Sequence, residues 1–104
     1  SMIAQCASSL AMLHSNKGAT IYNEIIGYFS IAATEKSNEK TNSYLNDSQT
    51  ALEHYQKAKN YFQLSLDYDE ESSETTKQLK KEMRKIIKQI KNEIIPSLES
   101  LLKE

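Results

Sequence analysis

Cross-links, turn formers and residues of one dominant charge are all scarce in this chain. Its 104 residues include 2 Gly, 1 Pro, 1 Cys and no Trp. A lone cysteine, Cys6, cannot close an internal disulfide; its simplest role is that of a small buried hydrophobe. Such sparing use of cysteine fits a reducing compartment, so an intracellular location, cytoplasmic or nuclear, is expected. With so little Gly and Pro, hairpin-linked sheets are disfavoured and long helices are favoured. No apolar run approaches the roughly 18–20 residues that cross a bilayer. No signal-peptide pattern is present. The 13 Lys and Arg against 14 Asp and Glu leave a formal net charge of −1, so no global field draws the chain to nucleic acid or to an anionic membrane.

What is there is helical periodicity. At about 100° per residue, Ile3, Ala7, Leu10, His14, Ile21, Ile25, Phe29 and Ala32 share one face. The phase survives Ser15-Asn16-Lys17-Gly18, so one helix is expected over residues 3–34. Gly18 in its interior is unfavourable by about 1 kcal/mol relative to Ala, a loss offset if a neighbouring backbone comes close there. The apolar-free stretch from Glu35 to Ser43 reads as the first loop. A second helix is expected over 44–68, with Tyr44, Ala51, Tyr55, Ala58, Phe62 and Leu66 on its stripe. Small Ala alternating with large aromatics suits close interhelical packing.

Asp67 to Glu74 gathers five acids and ends that helix; Ser72 or Ser73 can cap the next, with Glu74 at the positive end of its dipole. The run lacks the spacing of a calcium loop. The third helix, over 73–95, carries Leu79, Met83, Ile86, Ile90, Ile94, Leu98 and Leu101 at alternating spacings of four and three, a heptad-like, coiled-coil-type seam. Pro96 lies within it, so a kink or break is expected, followed by a short continuation over 96–103. Three helices of roughly 25–32 residues reach about 37–48 Å each. Matched lengths and short polar links point to an all-α, antiparallel up-down-up three-helix bundle. Residues 1–104 form a single helical domain in this reading. The apolar stripes run nearly to both ends, as in a fragment of a larger protein.

Little in the sequence suggests chemistry. His14 lies on the first stripe and His54 beside the second, and neither has a Cys, Asp or Glu at the helical spacing of a metal pair. Gly-rich phosphate loops, CxxC, HExxH and GxSxG are all missing. The expectation is a protein with no catalytic residues, metal or cofactor. Two sets of residues are left as candidates for contact with a partner. Lys77, Lys81, Arg84, Lys88 and Lys91 fall within about 80° of one another, opposite the apolar seam, with Lys80 and Lys85 widening the positive surface. No aromatic is interleaved with these cations, so contact with nucleic acid would be nonspecific, through phosphates. Lying on a membrane would need the apolar face that the bundle uses. An acidic peptide suits such a face best, since long-range attraction aids encounter without a shaped pocket. The second set is Tyr28, Tyr61 and Tyr68, which lie off their stripes, whereas Tyr44 and Tyr55 face the core.

Tyr55-x2-Ala58-x3-Phe62-x2-Ser65-Leu66 resembles the second helix of a tetratricopeptide repeat, and Asn16 to Tyr22 resembles the small-residue-rich first helix of such a repeat. The three-helix layout is also similar to a microtubule-interacting and trafficking domain. Both resemblances imply an interaction or scaffolding module that takes a helix or peptide in a groove between its helices. Three other readings stay open: self-association through the seam from Leu79 to Leu101, electrostatic binding of anionic lipid or nucleic acid by the basic face, and a structural segment of a helical solenoid.

Overall fold

The computed structural model describes residues 1–69 and 73–103, and it is all-α. Met2–Glu35 is one uninterrupted helix of 34 residues, α1, capped by the Ser1 hydroxyl, which accepts from the Ala4 N–H at 3.1 Å. Asn38–Asp67 forms α2 and Glu74–Gln89 forms α3. A π-helical turn, Ile90–Ile94, then leads into α4, Ile95–Lys103. The molecule extends 53 Å along its long axis, close to the roughly 51 Å that 34 helical residues rise.

The first link is shorter than the sequence suggests. Only Lys36 and Ser37 separate α1 from α2, so the expected loop over residues 35–43 is mostly the first turns of α2. Ser37 supplies the cap, accepting from the Lys40 N–H at 3.1 Å, and Glu39 sits in the favourable first turn. A polar stretch without apolar residues marks exposure, and helices can be exposed. At the second link Ser73 caps α3, accepting from the Thr76 N–H at 3.2 Å, with Glu74 in the first turn as expected. The alternative cap Ser72, like Glu70 and Glu71, lies outside the described residues.

A two-residue link folds α2 back antiparallel to α1, and four cross-helix contacts fix the register. The Ser65 hydroxyl donates to the Ala4 carbonyl at 3.0 Å, His14 meets His54, Gly18 lies under Tyr55, and Tyr28 reaches Thr41. The approach is close because the facing residues are small: Ala4, Ala7, Ala11 and Gly18 from α1, with Ser48, Ala51, Ala58 and Ser65 from α2, are all buried. Gly18 admits an aromatic ring where a close backbone is expected from sequence. A Cβ built there would lie 2.8 Å from Cε2 of Tyr55, and that ring is itself buried.

α3 and α4 complete the core on one side of this hairpin, α3 running parallel to α1. Met83, Ile87, Ile90, Ile94 and Leu98 join Ile25, Tyr28, Leu52, Tyr55 and Phe62 in one cluster. Complete burial of a side chain such as Phe62 stabilises by about 1.5–3 kcal/mol. The third seam is thus occupied within its own chain, so dimerisation through it would require exchange of α3 between chains. Ile87 takes the buried place next to Ile86, which is half-buried. The disturbance expected at Pro96 takes the form of the π turn just before it. Pro96 has no N–H to give and its ring crowds the carbonyl four residues back. The Ile95 N–H reaches to the Ile90 carbonyl, widening the turn. Ile90, Ile94 and Leu98 stay buried at consecutive spacings of four, the wider turn offsetting the extra rotation.

The two glycines should respond oppositely to substitution. Gly27 has nothing within 4 Å of a built Cβ, so Gly27→Ala is expected to stabilise by about 0.5–1 kcal/mol through helix propensity alone. Gly18→Val must displace the Tyr55 ring and is expected to destabilise by about 1–3 kcal/mol. Urea midpoints of the two variants check both signs.

Candidate functional site

The basic residues of α3 and the π turn lie where the periodicity puts them. Lys77, Lys81, Arg84, Lys88 and Lys91 are all exposed on the face away from the core. Their field is diluted by neighbours. Lys77 Nζ sits 3.3 Å from a Glu74 carboxylate oxygen, an exposed pair worth little to stability. Lys80 turns toward α2 and hydrogen-bonds the Gln63 side chain. On the flank of α3, Glu82 and Glu93 share an open depression with Lys85 and Lys88. The face is positive, but its depression sets two acids against two lysines and is close to neutral.

The three candidate tyrosines separate. Tyr28 is a core residue at 2 % exposure, which corrects its expected role as a contact. Its ring stacks on Tyr44 with centroids 4.6 Å apart, and its hydroxyl lies 2.7 Å from Thr41 Oγ1 and accepts from the Ser37 N–H at 3.4 Å. The ring fills the core while the hydroxyl ties down the short link. Placing the link nine residues long hides this role. Tyr55 is buried as expected, and burial pushes its phenol up to about 12. Tyr68 is 49 % exposed at the end of α2, and Tyr61 is half-buried.

Tyr61 belongs to the best-formed apolar feature of the surface. A groove of about 270 Å³ runs between the start of α1 and the end of α2, lined by Met2, Ile3, Cys6, Leu10, Tyr61 and Leu64, with Ala7 at its floor. Its lining is apolar almost throughout. Ile3 and Leu10 are expected on the buried stripe, yet both are exposed. The small seam of Ala4, Ala7 and Ala11 brings the helices too close for larger side chains to lie between them. Cys6 is likewise exposed on the groove rim, which corrects the buried reading. Leu13 extends the row by one turn, so Ile3, Cys6, Leu10 and Leu13 repeat at three, four and three. No charged side chain occurs before Lys17.

One turn beyond the groove, His14 and His54 meet across the two helices. Their Nδ1 atoms are 2.9 Å apart, and Tyr61 stacks on His14 with ring centroids 5.8 Å apart. Desolvation lowers the His14 pKa first, reinforced by the charges of His54, Lys57 and Lys17. For His54 desolvation again leads, then Lys17 and Lys57, with Glu53 opposing. Sequence reasoning treats the two histidines separately because forty residues lie between them. The signal that joins them is the antiparallel register, since pairing Ala4 with Ser65 places residue 14 close to residue 54.

Among the described residues no cluster of three or more His, Cys, Asp or Glu side chains is arranged to hold a metal, and no helix is long and apolar enough to cross a membrane. No protein-family model matches the chain, and neither a curated protein nor a solved structure matches it.

The Tyr28–Thr41 contact makes a measurable claim. Tyr28→Phe is expected to lose about 1–2 kcal/mol, because Thr41, buried at 1 % exposure, loses its hydroxyl partner. In a double-mutant cycle with Thr41→Val, the pair of changes should be less destabilising than the sum of the two single ones. Additive losses would show that the two hydroxyls are not coupled.

Proposed function

We propose that this chain is a non-catalytic interaction module that takes one amphipathic helix of a partner protein in the groove between α1 and α2. The carrying observation is a neutral, apolar groove beside the exposed row Ile3, Cys6, Leu10 and Leu13. Isolated exposed aliphatics are ordinary, whereas a contiguous lined row is typical of contact surfaces. The spacing of three and four suits a helix, which would lie on the hairpin as a fourth member of the bundle. Anchors on that helix would recur at i, i+3 or i+4, and i+7. Lys17 and Lys57 stand beyond one end of the groove, so acidic residues are favoured at the matching end of the partner. The exposed cations of α3 lie elsewhere on the molecule and act at most as long-range attraction for an acidic partner. The likeness of the Tyr55 to Leu66 segment to a tetratricopeptide-repeat helix supports the same class of role.

A displayed library of helical peptides tests the proposal directly. Selected binders are expected to perturb amide and methyl NMR signals of Ile3, Leu10, Tyr61 and Leu64. Leu10→Glu combined with Leu64→Glu should weaken them by about 100-fold, the scale of two anchors that each contribute over 1 kcal/mol. Both positions are exposed, so the fold should survive the change. Arg84→Glu with Lys88→Glu should leave the bound peptide in place and slow association only. Binders that map to α3 and are lost on charge reversal would overturn the groove in favour of the basic face.

A further inference from the structure

The contact between His14 and His54 has room for one proton, and that limits what the hairpin can tolerate. The two ring centroids are 5.2 Å apart, which is the 2.9 Å between the Nδ1 atoms plus about one ring radius at each end. The nitrogens therefore face each other head to head. In a neutral pair one Nδ1–H donates and the other Nδ1 accepts. A pair carrying one extra proton, held on an Nε2, keeps the same bond. A second extra proton leaves two Nδ1–H groups pointing at one another, and the contact cannot hold.

The surroundings resist that second charge. Lys17 of α1 and Lys57 of α2 act on both rings, and Glu53 of α2 opposes them only at His54. Tyr61 of α2 presents a ring face, stacked at 8° to His14, and brings no charge. Ser73 and Thr76 of α3 face Ser1, Ala4, Gln5 and Ser8 of α1, on another flank from the groove. Tyr61 belongs to both features: it is the stacking partner of His14 and a wall of the groove. A displaced imidazole therefore moves a residue that shapes the groove.

We infer that His14 and His54 form a proton-operated latch on the α1–α2 hairpin, closed by one shared Nδ1–H···Nδ1 bond and opened when both rings are protonated, with Tyr61 carrying the change into the groove wall. The latch stands on the histidine geometry alone; control of a bound helix rests additionally on the groove being the binding site. The sign follows from linkage. Both histidines have folded-state pKa values below the ordinary 6.5, so the unfolded chain binds more protons as pH falls through 6.5. The stability held above that value is lost below it, and the loss is complete once the folded-state values are passed.

NMR titration of the intact chain from pH 8 to 5, following both imidazoles and the Tyr61 ring, tests the latch without a ligand. The expected result is one histidine in the Nδ1–H tautomer and one in the Nε2–H tautomer at pH 8. Both should titrate below 6.5, with the Tyr61 signals moving in the same step. In His54→Gln the His14 titration should rise, and in His14→Gln that of His54 should rise. Independent titration near 6.5, unchanged by loss of the other ring, would overturn the latch. A helical peptide selected at pH 7.5 and retested at pH 5.5 supplies the second arm. Its Kd is expected to weaken by about fivefold to tenfold, the scale of one lost hydrogen bond. The weakening should vanish in His14→Gln. A coupled titration with selection yielding no peptide that binds the groove would keep the latch and sink the groove; a selected peptide with the same Kd at both pH values would keep the groove and sink the control.

Discussion

The close seam between α1 and α2 is the constraint on which the remaining features depend. It is built from residues that contribute almost no side chain, Ala4, Ala7, Ala11 and Gly18 against Ser48, Ala51, Ala58 and Ser65. Such residues bury little apolar area each, but they allow two long backbones to run side by side, and the gain comes from many contacts along their length. Large side chains must then go elsewhere. Tyr55 uses the gap over Gly18, Tyr28 turns into the core beside the link, and Ile3 and Leu10 are pushed to the rim. The groove is the outer edge of that same seam.

The third segment does the opposite work. α3, the π turn and α4 offer Met83, Ile87, Ile90, Ile94 and Leu98, side chains large enough to fill the trough on their side of the hairpin. Bulk is useful there because, among the described residues, α2 is the helix they approach most closely. The seam persists past Pro96 because a wider turn restores the phase that two successive spacings of four would otherwise lose. One flank of the hairpin is therefore covered with large aliphatics. The groove flank is left with a row of similar residues and nothing from its own chain upon them among the described residues.

Much of this was legible in the residues. The three helices, the continuity through Gly18, the Ser73 cap and the outward turn of the α3 cations follow from period, propensity and charge, which are local properties. The misreadings share one cause: each depends on which of two neighbours a helix face meets. The stripe of α1 is a single arc in sequence, yet its edge at Ile3 and Leu10 is exposed while Tyr28, about five full turns along from Leu10, is buried. Glu35 to Ser43 is apolar-free both as a loop and as an exposed helical turn, and only the burial of Thr41 under Tyr28 separates the two. The histidine contact is set by register, which a sequence specifies only after the length of the link is known.

The histidines also explain how the tight seam changes character along its length. From Ala4 to Ala11 small apolar residues hold the helices together, and that contact is indifferent to pH and salt. At the level of His14 two rings meet across the helices, and beyond them stand Lys17 and Lys57. Leucine at both histidine positions would extend the apolar contact, whereas an acid and a base would form a half-exposed ion pair of small worth. Two imidazoles differ from either arrangement. They pack as flat rings, one under Tyr61, and they join through a bond whose existence depends on proton count. Along its apolar walls the groove gives a bound helix no ionic contact through which solution conditions could act on it. The titratable pair at its end supplies that contact indirectly, through the one aromatic side chain that touches both.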